Sequence, residues 1–512
     1  MPQQRGVLLT GATGFLGQYL VKDLLQRMGT TTVLVRNSKQ ANGFERISEI
    51  VELWEERLQK KLSKPFIICG DLSDLKSSLS KADKNWIQKN CSSVLHCAAN
   101  LSFRKTPEQE PFKTNLNGTR ALLDLCESLS VSNWHHISTA FVSGRRSGTI
   151  LEQEATGESG FHNPYEESKF LAEVAVRNAK KIHSTIYRPS IIVGDSETGY
   201  TTTYTGLYRF LELAVRLARS IPQKTLATST LRIPFDGNEE WNLIPVDWVA
   251  RTILKLFNRS SSGGKIFHLV SDSPIKTSFI RDIGVETLRL TNIELAKIPA
   301  KNIFSRLDEL FRQGVQEYWP YISGNPLFSM ENLLAELPDA RPPRIDRTVL
   351  ERLIRFADND HWGKKSSGKP GYSGTINSES ACAVYIEKTF PILARRSDLA
   401  REAKLDVTVT ITLTGKGGGC WTCKWEKGEL IFTRPGIPES ATVKYISDTQ
   451  TFAAIISGRQ SPQEAFFEQK IAIKGDVESG LKLAYLFGQF ITETPVGTST
   501  PKEVADVLSS QD

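Results

Sequence analysis

The chain has 512 residues, 39% hydrophobic and 24% charged, with a formal net charge of +7. This balance is globular and excludes a disordered or collagen-like chain, and the length provides for more than one domain. The positive excess is small and diffuse, so it fits anionic cofactors or acyl carriers and argues against nucleic acid.

No apolar run approaches the length of a membrane-spanning helix. The first strand signal begins at Val7, leaving no room for a cleavable signal peptide, and the final Ser509-Ser510-Gln511-Asp512 is not a peroxisomal address. Seven cysteines, an odd number, suit reduced thiols. Together these features predict a cytoplasmic protein.

Val7, Leu8 and Leu9 read as a buried strand that breaks at Gly11, and an amphipathic stretch follows from Phe15 to Met28. Strand, glycine turn and helix in that order predict a dinucleotide-binding unit. Its expected contact positions are Gly11, Thr13, Gly14, Phe15, Leu16 and Gly17. Gly11 permits the turn, Gly14 lets the backbone approach a pyrophosphate, and Gly17 lets helix and strand pack closely. The pyrophosphate would rest on free N–H groups at the positive end of the helix.

The second strand, Thr31 to Val35, ends in Arg36, where an acid would hold the 2′-hydroxyl of NAD. An Arg pairs instead with a 2′-phosphate, which favours NADPH over NADH. Phe66 to Cys69 predicts a third strand, with Asp71 and Leu72 placed to read an adenine edge. A fourth, Val94 to Cys97, closes on Ala98 and Ala99, whose small side chains leave space for a cofactor. Further strands at Trp134–Ile137 and Thr185–Arg188 complete an α/β, doubly wound parallel sheet.

Tyr165-Glu-Glu-Ser-Lys169 opens a helix towards Asn178 and puts Tyr165 and Lys169 on one face. An ammonium close to a phenol is expected to lower its pKa and make Tyr165 an acid/base. With Ile137-Ser138-Thr139 at a strand end upstream, this constellation resembles the extended short-chain dehydrogenase/reductase family over residues 1–356. Within it the chain most resembles the branch of fatty acyl-CoA reductases and thioester reductase domains. The supporting stretches are Thr10–Gly17, Val94-Leu-His-Cys-Ala-Ala99, Asn115-Leu-Asn-Gly-Thr119, His136–Thr139, Tyr187–Asp195 and Ile244-Pro-Val-Asp247. The resemblance implies that Thr139 holds the substrate oxygen, Tyr165 exchanges its proton and Lys169 also binds the nicotinamide ribose. It further implies that Asn115 kinks a helix and relays protons, and that Pro189 and Ser190 flank the nicotinamide. Ser138 is the less suitable oxygen ligand. Arg104 to Pro111 departs from the family pattern beside the expected substrate entrance.

Residues 200–356 are expected to face substrate. Leu207, Phe210, Leu211, Ala214, Val215 and Ala218 follow helical spacing, with Arg209, Arg216 and Arg219 elsewhere on the helix. A core-packing helix is favoured over one lying on a membrane, although peripheral membrane contact stays open. Aromatic residues at Phe304, Phe311, Tyr318, Trp319, Tyr321 and Phe328 read as a packed lid or a lipid channel.

Residues 357–375 read as a Gly/Ser/Lys linker and 496–512 as a tail. Between them, Leu405, Val407, Val409, Ile411 and Leu413 alternate with polar residues, which predicts a half-buried strand. More strands follow at Cys420–Trp425, Leu430–Phe432 and Thr442–Ile446. A helix is expected from the capping box Ser461-Pro-Gln-Glu464, and an apolar one from Gly480 to Ile491. An open antiparallel sheet with helices on one face, over residues 376–495, resembles the sterol carrier protein 2 domain. The stretches carrying this are Phe452–Gly458, Ser461-Pro462, Ala465-Phe466 and Lys470–Asp476. The resemblance implies a lipid-sized cavity. Cys420 and Cys423 form one C-x-x-C, but on a strand they point to opposite faces, so no metal site is expected.

The combined reading is NADPH-dependent reduction of a lipid carbonyl, foremost a fatty acyl thioester on CoA or an acyl carrier protein. Aldehyde and alcohol both stay open as products. The rivals are a sterol or hydroxy-lipid dehydrogenase, a sugar-nucleotide epimerase, and a non-catalytic lipid-transfer protein.

Overall fold

The apolar run before Gly11 forms strand β1 (Gly6–Thr10), and the amphipathic stretch after it forms helix α1 (Phe15–Leu25). Around β1 lie β2 (Thr31–Val35), β3 (Phe66–Cys69), β4 (Cys91–His96), β5 (Asn133–Ile137), β6 (His183–Pro189) and β7 (Ile266–Leu269). They form one sheet in the order β7-β6-β5-β4-β1-β2-β3. All its pairings are parallel, with Val7 opposite Thr31 on one side and Ser93 on the other. The strand order reverses at β1 and β4, and the crevice at their carboxyl ends is the place such sheets bind ligands. β4 begins at Cys91 rather than Val94, because the preceding helix Lys81–Asn90 runs straight into it.

This computed structural model describes residues 6–26, 30–38, 41–219, 230–296, 306–322, 326–363, 382–396, 406–438, 440–457, 460, 465, 470–476 and 479. The chain divides into two units, Met1–Gly363 and Lys364–Asp512.

In the first unit, Leu8, Leu9, Val33, Leu95, Tyr187 and Phe267 are buried on the central strands. Each such side chain contributes ~1.5–3 kcal/mol by leaving water. α1 turns Leu16, Tyr19, Leu20 and Leu24 inward and packs on a helix over Val246–Phe257. Helix α2 (Gly43–Leu58) starts at a capping box between Asn42 and Glu45. Helix α3 (Pro164–Asn178) is capped by Asn163 and has Pro at its first position. Helix α4 (Leu207–Arg219) buries Leu207, Phe210, Leu211, Ala214, Val215 and Ala218, with Leu213 partly buried. Arg209 and Arg216 pair with Glu212, and Arg219 with Asp358. This helix packs in the core and does not present its apolar face outward.

The second unit contains β8 (Val407–Thr414), β9 (Gly419–Glu426), β10 (Glu429–Pro435), β11 (Val443–Asp448) and β12 (Ile471–Gly475), in the order β10-β9-β8-β11-β12. Val407, Val409, Ile411 and Leu413 face the core, as the alternation predicts, although Thr410 is buried too. The expected antiparallel sheet is instead mixed. After β10 the chain crosses to the far side of β8, and β11 then runs parallel to it. Ser461–Glu464 and the stretch Gly480–Ile491 lie outside the described residues.

Candidate active site

The glycine turn is fixed by close backbone approach. Gly11 has φ +72°, and a Cβ there would lie 2.5 Å from the Ala98 nitrogen. A Cβ on Gly17 would lie 2.0 Å from the Gly11 oxygen. Any side chain at either position forces α1 off the sheet. Gly14 is the N-cap of α1 and makes no side-chain cap, so the positive end of the helix stays open to a ligand.

A cleft of about 250 Å³ runs past Gly11–Gly14, Arg36, Asp71, Leu72 and Ala98. Asp71 is oriented by its own turn, accepting from the Ser73 N–H at 2.8 Å and its hydroxyl at 2.9 Å. Arg46, on the first turn of α2, also lines this cleft. Its guanidinium donates to the Arg36 carbonyl and to Thr13 Oγ1, each at 2.9 Å. Sequence reading passed over Arg46. Its signal was the capping box at Asn42, which puts this residue at the start of a helix directly after β2.

A larger cavity of about 550 Å³ adjoins the first turn of α1 and is lined by Thr139, Tyr165, Lys169, Pro189 and Ser190. Thr139 sits just beyond β5, and its hydroxyl donates to the Pro189 carbonyl at 3.4 Å. Thr139 also hydrogen-bonds Tyr165. Ser138 donates instead to Glu173 Oε2 at 2.8 Å, which leaves Thr139 as the hydroxyl beside the phenol.

The expectation that Lys169 lowers the phenol pKa is not met. Burial raises the Tyr165 pKa, outweighing the Thr139 hydrogen bond that lowers it. Lys169 is itself buried and donates to the Ile137 carbonyl at 2.6 Å. Burial brings its ammonium down to about 8, against smaller raising effects of Cys97 and Glu173.

Asn115 lies in a π-helical turn, Lys113–Gly118. Its Oδ1 accepts from the Asn100 N–H at 2.7 Å, and its Nδ2 donates to the Asn100 carbonyl and to Ser168 Oγ, each at 2.9 Å. Ser168 donates in turn to the Tyr165 carbonyl at 2.8 Å, so Asn115 is tied to the backbone of α3.

Glu173 is a second residue that sequence reading missed. Fully buried on α3, it receives Arg188 Nε at 3.2 Å as well as Ser138. One carboxylate thereby joins the ends of β5 and β6 to the helix carrying Tyr165 and Lys169. The sequence signal was its position one turn beyond Lys169.

Phe103, Phe141, Tyr318, Tyr321 and Trp241 give the larger cavity an aromatic wall. The expected lid residues are therefore split. Tyr318 and Tyr321 face the cavity, whereas Trp319 stacks on Phe235 at 4.8 Å between ring centres. Phe304 lies outside the described residues. Arg104, from the segment that departs from the family pattern, lines the cavity and pairs with Glu317. Among the described residues no group of three or more His, Cys, Asp or Glu is placed to hold a metal.

Fold and glycine turn together define a Rossmann-type sheet whose first turn has the geometry of a dinucleotide-binding unit. Residues 9–253 match the Male sterility protein family of NAD-binding domains, and residues 392–488 match the SCP-2 sterol transfer family. The two matches fall in the two units of the chain, the first in Met1–Gly363 and the second in Lys364–Asp512.

Among curated proteins it is 27% identical over 305 residues to the nonribosomal peptide synthetase asaC of Aspergillus flavus, covering 56% of this chain and 28% of that one. It is 28% identical over 287 residues to the large chain of the L-2-aminoadipate reductase of Penicillium chrysogenum, covering 51% of this chain and 19% of that one. A Drosophila melanogaster protein whose name assigns it provisionally to the fatty acyl-CoA reductases is 28% identical over 318 residues, covering 52% of this chain and 59% of that one. The aligned region thus spans less than two thirds of each of these relatives. Among solved structures, the terminal R domain of the myxalamid pathway aligns with TM-score 0.57 at 25% identity, over 70% of this chain and 92% of that one. An archaeal thiolation-reductase di-domain has the same fold, with TM-score 0.55 at 20% identity over 70% of this chain and 76% of that one.

Proposed function

We propose that this protein is an NADPH-dependent reductase of a lipid carbonyl, with a fatty acyl thioester on CoA or a carrier protein as substrate. The observation that carries the reading is the meeting of Thr139, Tyr165 and Lys169 with the first turn of α1 around one aromatic-walled cavity. The relatives named for reduction of fatty acyl-CoA and aminoadipate support the reaction class. The SCP-2 domain supports a lipid substrate.

The residues present fit the dinucleotide. The uncapped start of α1 would hold the pyrophosphate, and Arg36 and Arg46 supply two guanidinium groups suited to a 2′-phosphate. When bound, the cofactor supplies a hydride to the carbonyl carbon. Thr139 and Tyr165 hydrogen-bond the carbonyl oxygen and stabilise the charge that develops there. Tyr165, held protonated by burial, gives its proton to that oxygen, and the Lys169 ammonium, anchored on the Ile137 carbonyl, would hold the nicotinamide ribose. Collapse of the resulting hemithioacetal releases the thiol and an aldehyde, and a second round gives the alcohol.

Tyr165→Phe tests the assignment. NADPH oxidation driven by an acyl thioester should fall by roughly 10²–10⁴-fold, while lipid binding by the chain is retained. Full turnover in this variant would remove the mechanism, and no turnover in the native protein would favour the lipid-transfer reading.

A further inference from the structure

A second, predominantly apolar cavity of about 50 Å³ lies in the same unit, between α4 and the helix Thr277–Leu288. Its walls include Phe210, Ala214, Ile280, Gly284 and Phe311. Among the described residues, Trp241 alone lines both this cavity and the larger one that holds Tyr165. The indole is 2% exposed, and its Nε1 donates to Thr277 Oγ1, on the wall of the second cavity, at 2.9 Å. Phe210 packs edge-on against it, with ring centres 4.9 Å apart. The ring is therefore fixed from the second-cavity side, in a residue that lines both spaces.

We propose that Trp241 sets the length of acyl chain the enzyme accepts, by closing the catalytic cavity against an apolar extension behind it. The proposal rests on the acyl-thioester reading above and specifies its substrate class: chains that end at the indole. The second cavity is lined almost entirely by hydrocarbon, with Thr277 and Arg281 its polar residues and the Thr277 hydroxyl already engaged by the indole, so its natural occupant is hydrocarbon. Removing the indole joins the two spaces and lets a longer chain leave water along its whole length.

The test compares kcat/KM over a series from octanoyl-CoA to docosanoyl-CoA for the native chain, Trp241→Phe, Trp241→Ala and Trp241→Ala/Gly284→Leu. A Cβ at Gly284 would meet its nearest neighbour, Leu211 Cδ2, at an ordinary 3.4 Å, so a side chain there fills the second cavity. In Trp241→Ala the optimum should move to longer chains, each added methylene raising kcat/KM by about fourfold, the equivalent of ~0.8 kcal/mol. Trp241→Phe, which keeps the partition smaller but better supported, should show part of that shift. The double variant should return to the native profile, and Gly284→Leu alone should leave it unchanged. Parallel chain-length profiles in native and Trp241→Ala proteins would overturn the proposal. If the native chain turns over no acyl thioester, the functional reading fails instead. Calorimetric binding of the corresponding free fatty acids then tests the partition alone, because the C-terminal unit contributes equally to both proteins. Equal affinities in that assay would also overturn it.

Discussion

Glu173→Gln keeps the shape of the side chain and removes its charge. The side chains of Glu173 and Arg188 are 0% and 1% exposed. The substitution leaves the guanidinium with only neutral partners, the Gln153 carbonyl at 2.9 Å and His268 Nε2 at 3.4 Å. His268 cannot compensate, because burial and then Arg188 hold its pKa at about 3 and its charged form would be positive. Breaking a buried ion pair by removing one partner costs roughly 3–5 kcal/mol. At about 1.4 kcal/mol per factor of ten, amides in β5 and β6 that exchange through global opening should exchange roughly two to three and a half powers of ten faster. Hydrogen exchange read by mass spectrometry over residues 133–137 and 183–189 measures this directly. Glu286→Gln, which breaks a pair exposed at both ends, serves as the control and should leave those rates unchanged. Native-like exchange in Glu173→Gln would refute the argument that this carboxylate holds the ends of both strands against α3.

Arg36→Ala and Arg46→Ala should each raise KM for NADPH with little effect on NADH, and together should abolish the preference; an unchanged ratio of kcat/KM for the two cofactors would contradict this. Gly17→Ala should eliminate cofactor binding measured by fluorescence titration, because its Cβ would lie 2.0 Å from the Gly11 oxygen. Lys169 carries its charge below about 8, so the reduction rate should fall as pH rises through that value, and Lys169→Arg should lose the fall whatever its residual rate. The sign for stability is the opposite. With a folded pKa below the ordinary 10.5, Lys169 is a full burden below pH about 8, and the burden is relieved between about 8 and 10.5. Lys169→Met should flatten that segment of the stability curve in urea titrations.

What was legible in the sequence was local. Gly11, Gly14 and Gly17 stand directly after a buried-strand signal and before an amphipathic one, and Tyr165 and Lys169 share a face through helical periodicity alone. Arg46 and Glu173 left local signals, a capping box and a helical spacing, but their partners Thr13, Ser138 and Arg188 and the two cavities that Trp241 lines are set by contacts between elements distant in sequence. The phenol departs from expectation for a related reason. A lysine one turn away is visible in the sequence, but the burial that raises Tyr165 and draws the ammonium towards the Ile137 carbonyl depends on the assembled sheet. In the second unit, alternation identified β8, yet its parallel pairing with β11 follows from where the chain crosses after β10, which alternation does not encode.

The central claim is hydride delivery to an acyl thioester. Its most direct test is NADPH consumption with palmitoyl-CoA, with the extracted products identified by mass spectrometry. The account predicts aldehyde or alcohol appearing in step with NADPH loss, the ratio giving the number of hydrides. Absence of both, with oxidation of a sterol or hydroxy-lipid by NADP⁺ in the same preparation, would contradict it.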